Sequence, residues 1–275
     1  MHGLGNDFII INNLDNKLIS GDIAALSPKI CHRNFGIGAD GVVLLNPSSR
    51  ASVCMKIFNS DGSEAEMCGN AIRCLAKYLW DRGIVSEEHL IIDTLSGFKK
   101  IKLLLREGEV EGVQVNMGRP VLESCMIPVQ GPSRQEVINE HVVAGDKKFF
   151  FTAVNMGNPH CVIFVPAINN IPWQEWGAKI EKDALFPQKV NVEFVEVESP
   201  REIWVSVWER GVGPTLACGT GACACVVAGV LTGKLERDVK VHLPGGLLRV
   251  NWSENGTVYM EGPAEEVFCG EIGLL

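Results

Sequence analysis

"ERGVGPTLACGTGACACVV" spans Glu209–Val227, and "NSDGSEAEMCGNAIRCLAKYL" spans Asn59–Leu79. Each holds a turn with an acid and glycines, then Cys-Gly, then a run with helical character. Cys68 and Cys218 are 150 residues apart, and each run meets a glycine 15 residues after its cysteine, Gly83 and Gly233. Other features keep the same order at nearly the same offset. "GNDFIII" (Gly5–Ile11) matches "GNPHCVIF" (Gly157–Phe164), and residues 94–120 match 242–263. A duplication accounts for this better than chance does.

Most of the remaining sequence has strand character. "DFIII", "GVVLL", "VCMKIF", "LIIDTL", "KKIKLLL" and "VEGVQVNM" are short β-branched runs closed by Gly, Asn, Pro or Asp. "CVIFV", "VEFVEV", "IWVSVW", "LLRVNW" and "TVYMEG" continue the pattern, and "REGEVEG" and "SENGT" read as hairpin turns. Helices are expected at 21–33, after Cys68, at 172–183 and after Cys218, with a fifth over 132–145. In the second of these, Ile72, Leu75, Ala76 and Leu79 make an apolar stripe. The run after Cys218 is apolar on nearly every side and should be buried. The fold class is α+β, two pseudosymmetric duplicated lobes in which mixed strands wrap one central helix each. The boundaries fall at 1–118, completed by 264–275, and at 119–263.

The chain has 275 residues, a formal charge of −8 and no Lys/Arg-rich block, which argues against nucleic acid and anionic membranes as partners. No apolar run reaches the ~20 residues of a membrane helix, and no leader pattern is visible, so the cytoplasm is the expected location. A zwitterionic small molecule suits this charge, and a homodimer is compatible with it. The ten cysteines lie mostly in apolar segments, where they serve as small hydrophobes. They lack paired zinc-ligand spacing, so neither metal nor cofactor is expected.

A thiol just ahead of a helix meets unpaired backbone N–H groups and the positive end of the helix dipole. This lowers its pKa and places an anion-binding nest beside it. If the two lobes are related by a pseudo-twofold axis, Cys68 and Cys218 can approach one carbon from opposite faces. One would remove a proton while the other delivers one, with the carboxylate next to that carbon held by N–H groups.

Seven stretches, "HGLGNDF", "FGIGADG", "FNSDGSEAEMCGNAIRC", "NMGNPH", "KVNVEFV", "ERGVGPTLACGTGACA" and the terminal "GP…VF.GE", resemble the diaminopimelate epimerases over essentially the whole chain. The resemblance implies interconversion of LL- and meso-diaminopimelate without pyridoxal phosphate, a step toward lysine and peptidoglycan precursors. It implies Cys68 and Cys218 as the acid/base pair, and backbone N–H groups near Gly69, Asn70, Gly219 and Thr220 as holders of the α-carboxylate. It further implies that Asn6, Asn59, Asn158, Asn191, Glu209 and Arg210 bind the rest of the substrate, and that His160 and Glu209 assist proton movement. Arg210 suits a distal carboxylate and Glu209 an ammonium group.

Plainer duties are open for several of these. Asn beside Gly often forms turns, Glu209-Arg210 could be a surface pair, and His160 could cap a strand. Asp40 and Asp61 read as turn residues; Cys74, Cys223 and Cys225 read as packing. The chain departs from the family pattern at Gly41, where some members have Gln, and at Ala71, where Gly is common. Met1 falls inside the first motif, ahead of which members commonly have a short strand. A racemase of another amino acid on the same scaffold, a thiol redox or metal protein, and a non-catalytic binder are the competing classes. Arg210, the lack of Cys-x-x-Cys and the paired cysteines weigh against them in turn.

Overall fold

A computed structural model describes residues 1–273. The chain divides into two compact units, one of Met1–Val115 together with the residues from Gly262 onward, the other of Asn116–Glu261. The first unit contains β1 (His2–Gly3), β2 (Asn6–Asn12), α1 (Ser20–Ile30), β3 (Gly41–Asn46), β4 (Val53–Asn59) and β5 (Glu64–Ala65). It continues with α2 (Gly69–Asp81), β6 (His89–Thr94), β7 (Gly97–Arg106) and β8 (Glu109–Gly118), within which the chain passes to the second unit. β2 lies parallel to β3, β3 antiparallel to β4, and β4 parallel to β6. β6, β7 and β8 follow as antiparallel neighbours, and short β5 folds back on β4.

The second unit opens with a hairpin of β9 (Val137–Ala144) and β10 (Lys147–Asn155), then β11 (Pro159–Phe164), α3 (Trp173–Ile180), β12 (Asn191–Ser199), β13 (Glu202–Glu209) and β14 (Gly213–Thr215). It ends with α4 (Gly219–Leu231), β15 (Asp238–Leu243), β16 (Gly246–Trp252) and β17 (Val258–Gly262). β11 is parallel to β12, β12 antiparallel to β13, and β13 parallel to β15. β15, β16 and β17 are antiparallel, and β14 folds back on β13. This is the topology of the first unit from β2 on, with α3 in the place of α1 and α4 in the place of α2. The repeat in the sequence is therefore a repeat of topology.

The central strands explain the apolar runs. Gly41–Leu45 are all buried, as are Asn191–Val195, because helices cover both faces of these strands. In the first unit α1 packs Ile23 and Ile30 on Val42, Leu44 and Phe58. Helix α2 buries Ile72, Leu75, Ala76 and Leu79, and α4 buries every residue from Gly221 to Gly229. A fully buried leucine such as Leu75 contributes about 2 kcal/mol.

Both inner helices end alike. Gly83 (φ 63°) and Gly233 (φ 68°) adopt the left-handed conformation that favours glycine. Ile84 N–H then donates to Leu79 O at 2.9 Å and Lys234 N–H to Gly229 O at 2.8 Å, which closes each helix.

Helices α1 and α3 each end three residues short of the expected 33 and 183, and the fifth expected helix does not form. Its place, 132–145, is taken largely by β9. Val142 and Ala144 are buried while His141 and Val143 are exposed, a period of two, and Gly145-Asp146 turns the strand back so that Ala144 faces Lys147 of β10. The polar Gln135, Glu136, Asn139 and Glu140 imitate the wet face of a helix, but the β-branched residues and the turn decide the outcome. Among the described residues, no helix is long and apolar enough to cross a membrane.

Candidate active site

Cys68 and Cys218 occupy equivalent backbone positions. Each is the N-cap of its inner helix with extended dihedrals, φ −139° and ψ 121° for Cys68, φ −120° and ψ 110° for Cys218. Their carbonyls accept the first helical bonds, from Ile72 N–H at 3.0 Å and Ala222 N–H at 2.9 Å. Each sulfur is thus carried at the start of an inner helix.

In the first unit the Leu4-Gly5 turn, with φ of 57° and 82°, closes the β1–β2 hairpin and sets Asn6 at the start of β2. Asn6 Oδ1 accepts from Asn70 Nδ2 at 3.0 Å and lies 3.6 Å from Cys68 Sγ, while Asn6 Nδ2 donates to Asp40 Oδ2 at 2.7 Å. Asp40 also accepts from Arg33, which grips Asp7 with two nitrogens at 2.8 and 3.1 Å. Arg33, Asp40, Asn6 and Cys68 therefore form one chain, and the turn residue Asp40 orients the asparagine at the thiol. Asn59 is held by its own turn. Its Nδ2 donates to Ser63 Oγ at 2.9 Å, and Ser63 is held by Asp61.

Arg73, absent from the expected site residues, is fully buried and ties the first turn of α2 to the returning chain by donating to Gly69 O and Pro263 O. At Gly41 a Cβ would come within 2.6 Å of Phe58 O, so this chain has no room there for a larger residue.

In the second unit Cys218 Sγ accepts from Gly221 N–H at 3.4 Å and lies 3.5 Å from Thr220 Oγ1. Glu209 accepts from Thr215 Oγ1 at 2.6 Å. Asn191 donates to Pro159 O and accepts from Arg210 N–H at 2.9 Å, so it holds the backbone from which the Arg210 side chain projects. The guanidinium donates to Gln188 O at 3.3 Å, and among the described residues no carboxylate pairs with it. His160 is fully buried between Asn158, 2.9 Å from Nε2, and Glu193, 2.7 Å from Nδ1.

Glu193 is a further residue that the motif reading passed over. Its signal is in the sequence: in "NVEFVEVES" Glu193 lies an odd number of positions from Glu196, so the two point to opposite faces of β12 and one of them must face inward.

At Cys218 the surroundings oppose the pull of the helix start. Burial, then the charges of Glu209 and Glu193, push the thiol well above its ordinary value. The bonds to Thr220 and to Gly221 N–H pull the other way and are outweighed. Cys74 behaves as a packing residue, its thiol pushed up to about 12 by burial. Cys223 and Cys225 are also buried. Among the described residues, no three His, Cys, Asp or Glu side chains group as metal ligands.

Each unit thus carries a helix-start sulfur near a polar side chain, and the second adds an exposed guanidinium that no carboxylate pairs among the described residues. A sequence profile described as "Diaminopimelate epimerase" matches residues 1–123 and 152–267. A protein named diaminopimelate epimerase from Pelotomaculum thermopropionicum is 54% identical over 270 residues, 98% of this chain and 96% of its own length. One of the same name from Desulforudis audaxviator is 53% identical over 98% of this chain and 97% of its own length.

Among solved structures, a probable proline racemase from Agrobacterium radiobacter superposes with a TM-score of 0.66 at 15% identity, covering 95% of this chain and 88% of its own. A phenazine biosynthesis protein of the PhzF family from Bacillus anthracis gives 0.66 at 14% identity, over 95% and 91%. These two share the fold. With two duplicated units, a cysteine at the head of each inner helix and relatives above 50% identity over nearly the full length, the chain belongs to the diaminopimelate epimerase family.

Proposed function

We propose that Cys68 and Cys218 are the acid/base pair with which this family member interconverts LL- and meso-diaminopimelate. The observation that carries the reading is the equivalence of the two N-cap cysteines on duplicated helices in a chain so similar to proteins of that name. One thiolate takes the Cα proton, and the other thiol gives a proton to the opposite face. The pair works with one proton removed and one retained.

Negative charge grows on the α-carboxylate as the proton leaves. The N–H groups at Gly69, Asn70, Gly219 and Thr220 stabilise it there more than in the ground state. Arg210 takes the distal carboxylate through paired hydrogen bonds. Asn6, Asn59 and Asn158 orient the zwitterion, Asn191 holds Arg210 in place, and Glu209 and His160 receive the ammonium group or assist the proton. No cofactor enters this scheme. A cytoplasmic location, in keeping with ten free thiols, and assembly as a homodimer belong to the same reading.

The test is solvent-deuterium uptake. Wild type with LL-diaminopimelate in D2O gains deuterium at Cα, while L-lysine, which lacks the second carboxylate, exchanges far more slowly. Cys68→Ala and Cys218→Ala each lose roughly 10²–10⁴-fold in epimerisation. Full turnover in either variant, or equal exchange with lysine, overturns the assignment.

A further inference from the structure

We propose that Glu193 is a positioning residue: its carboxylate keeps the proton of His160 on Nδ1 and, through the fixed imidazole, sets the amide of Asn158. The proposal rests on the reading above that Asn158 meets substrate. Glu193 and His160 have no exposed side-chain surface and approach to 2.7 Å. An ionised carboxylate only accepts hydrogen bonds, so Nδ1 must donate. The ring is then unable to flip, and Nε2, 2.9 Å from Asn158 Oδ1, is left as an acceptor, so the imidazole selects the turned amide, whose Nδ2 donates to it.

Stability does not explain this arrangement. Glu193 Oε2 is buried without a hydrogen-bond partner among the described residues. A buried carboxylate with an idle oxygen costs more than an apolar residue of similar volume would. Its place is also specific. A Cβ built on Gly221 would lie 2.9 Å from Glu193 Oε1 and 3.3 Å from both Cβ and Sγ of Cys218. The carboxylate, the thiol-bearing cap and the first turn of α4 thus meet at a point that glycine alone leaves open.

The test combines a spectrum with a mutant cycle. The 15N imidazole spectrum of the wild type should show His160 protonated at Nδ1, and Glu193→Ala should show a mixture of tautomers. Glu193→Ala should lower kcat/KM for diaminopimelate about 10–100-fold, the loss expected for a hydrogen bond to a charged group. Glu193→Gln, whose amide oxygen still accepts, should recover to within about fivefold of wild type. In a His160→Ala background Glu193→Ala should cost less than about twofold more, because Glu193 acts through the ring.

A bare Nδ1 in the wild type overturns the proposal without need of any variant. So does a wild-type kcat/KM in Glu193→Ala, or an undiminished effect of that change without His160. Wild-type deuterium uptake is measured alongside. An inert wild type refutes the functional reading, whereas an active wild type with a bare Nδ1 refutes the role of Glu193 alone.

Discussion

Gly221→Ala places one methyl group where three groups already meet. At 2.9 Å from Glu193 Oε1 it intrudes by roughly 0.5 Å on an ordinary carbon–oxygen contact, taken as about 3.4 Å. The carboxylate cannot swing aside cheaply, because it is fully buried and bound to His160 at 2.7 Å. Overpacking of this kind costs about 1–3 kcal/mol, and replacing glycine in a helix returns up to about 1 kcal/mol. A net loss of about 0–3 kcal/mol follows, which lowers Tm by up to about 12 °C at ~2–4 °C per kcal/mol.

The effect on rate should be larger than the effect on stability. The methyl also presses on Cys218 Sγ at 3.3 Å, and a misplacement of about 1 Å can cost 10²-fold, so a shift of half that size should lower kcat by about tenfold. Calorimetry supplies Tm, and deuterium uptake supplies kcat at a temperature where the variant is folded. A variant with wild-type kcat and an unchanged or higher Tm would show that the packing described around Gly221 is wrong.

Two further outcomes follow from the charges. The Cys74 thiol is raised from 9.0 to about 12 by burial, so above pH 9 the unfolded chain releases a proton that the native state keeps. The stability from this group is complete below pH 9 and falls between about pH 9 and 12. Urea unfolding at pH 8, 9.5 and 10.5 should show Cys74→Ala losing stability less steeply than wild type, by up to about 1.4 kcal/mol per pH unit; parallel slopes would contradict this. Arg210→Ala, which removes an exposed guanidinium without a carboxylate partner among the described residues, should lower kcat/KM about 10–100-fold with little change in Tm. Steady-state kinetics at saturating and limiting substrate would test this, and an unchanged kcat/KM would exclude Arg210 from the distal carboxylate.

What was legible in the sequence depended on whether a local pattern had a single physical solution. The stripe Ile72, Leu75, Ala76, Leu79 has one, as does an all-apolar run ended by Gly233, so α2, α4 and their cysteine caps could be read directly. Segment 132–145 had two, since its polar residues fit the outer face of a helix and its valines fit a strand. The pairing of Ala144 with Lys147 chose between them, and pairing is a property of the folded chain.

At the site, residue types announced the thiols and amides but not their surroundings. A helix start stabilises a thiolate, yet burial and the Glu209 and Glu193 charges outweigh it at Cys218. Glu209 ends the strand that leads into the cysteine's own motif, and Glu193 comes from the strand before that, so only the fold brings both charges to the thiol. Arg73 escaped notice because an arginine on an amphipathic helix is ordinarily wet, and the carbonyl of Pro263 that receives it lies 190 residues away.

That long-range closure bears on the order in which the protein is made. The first unit needs the chain from Gly262 onward: His2 pairs with Glu265, Arg73 donates to Pro263 and Arg82 to Glu266. The second unit is drawn wholly from Asn116–Glu261. At ~5–20 residues per second, a ribosome takes about 7–30 seconds to travel from Val115 to Gly262. Residues 1–115 wait out that interval incomplete, and of the two units the one started earlier is finished later.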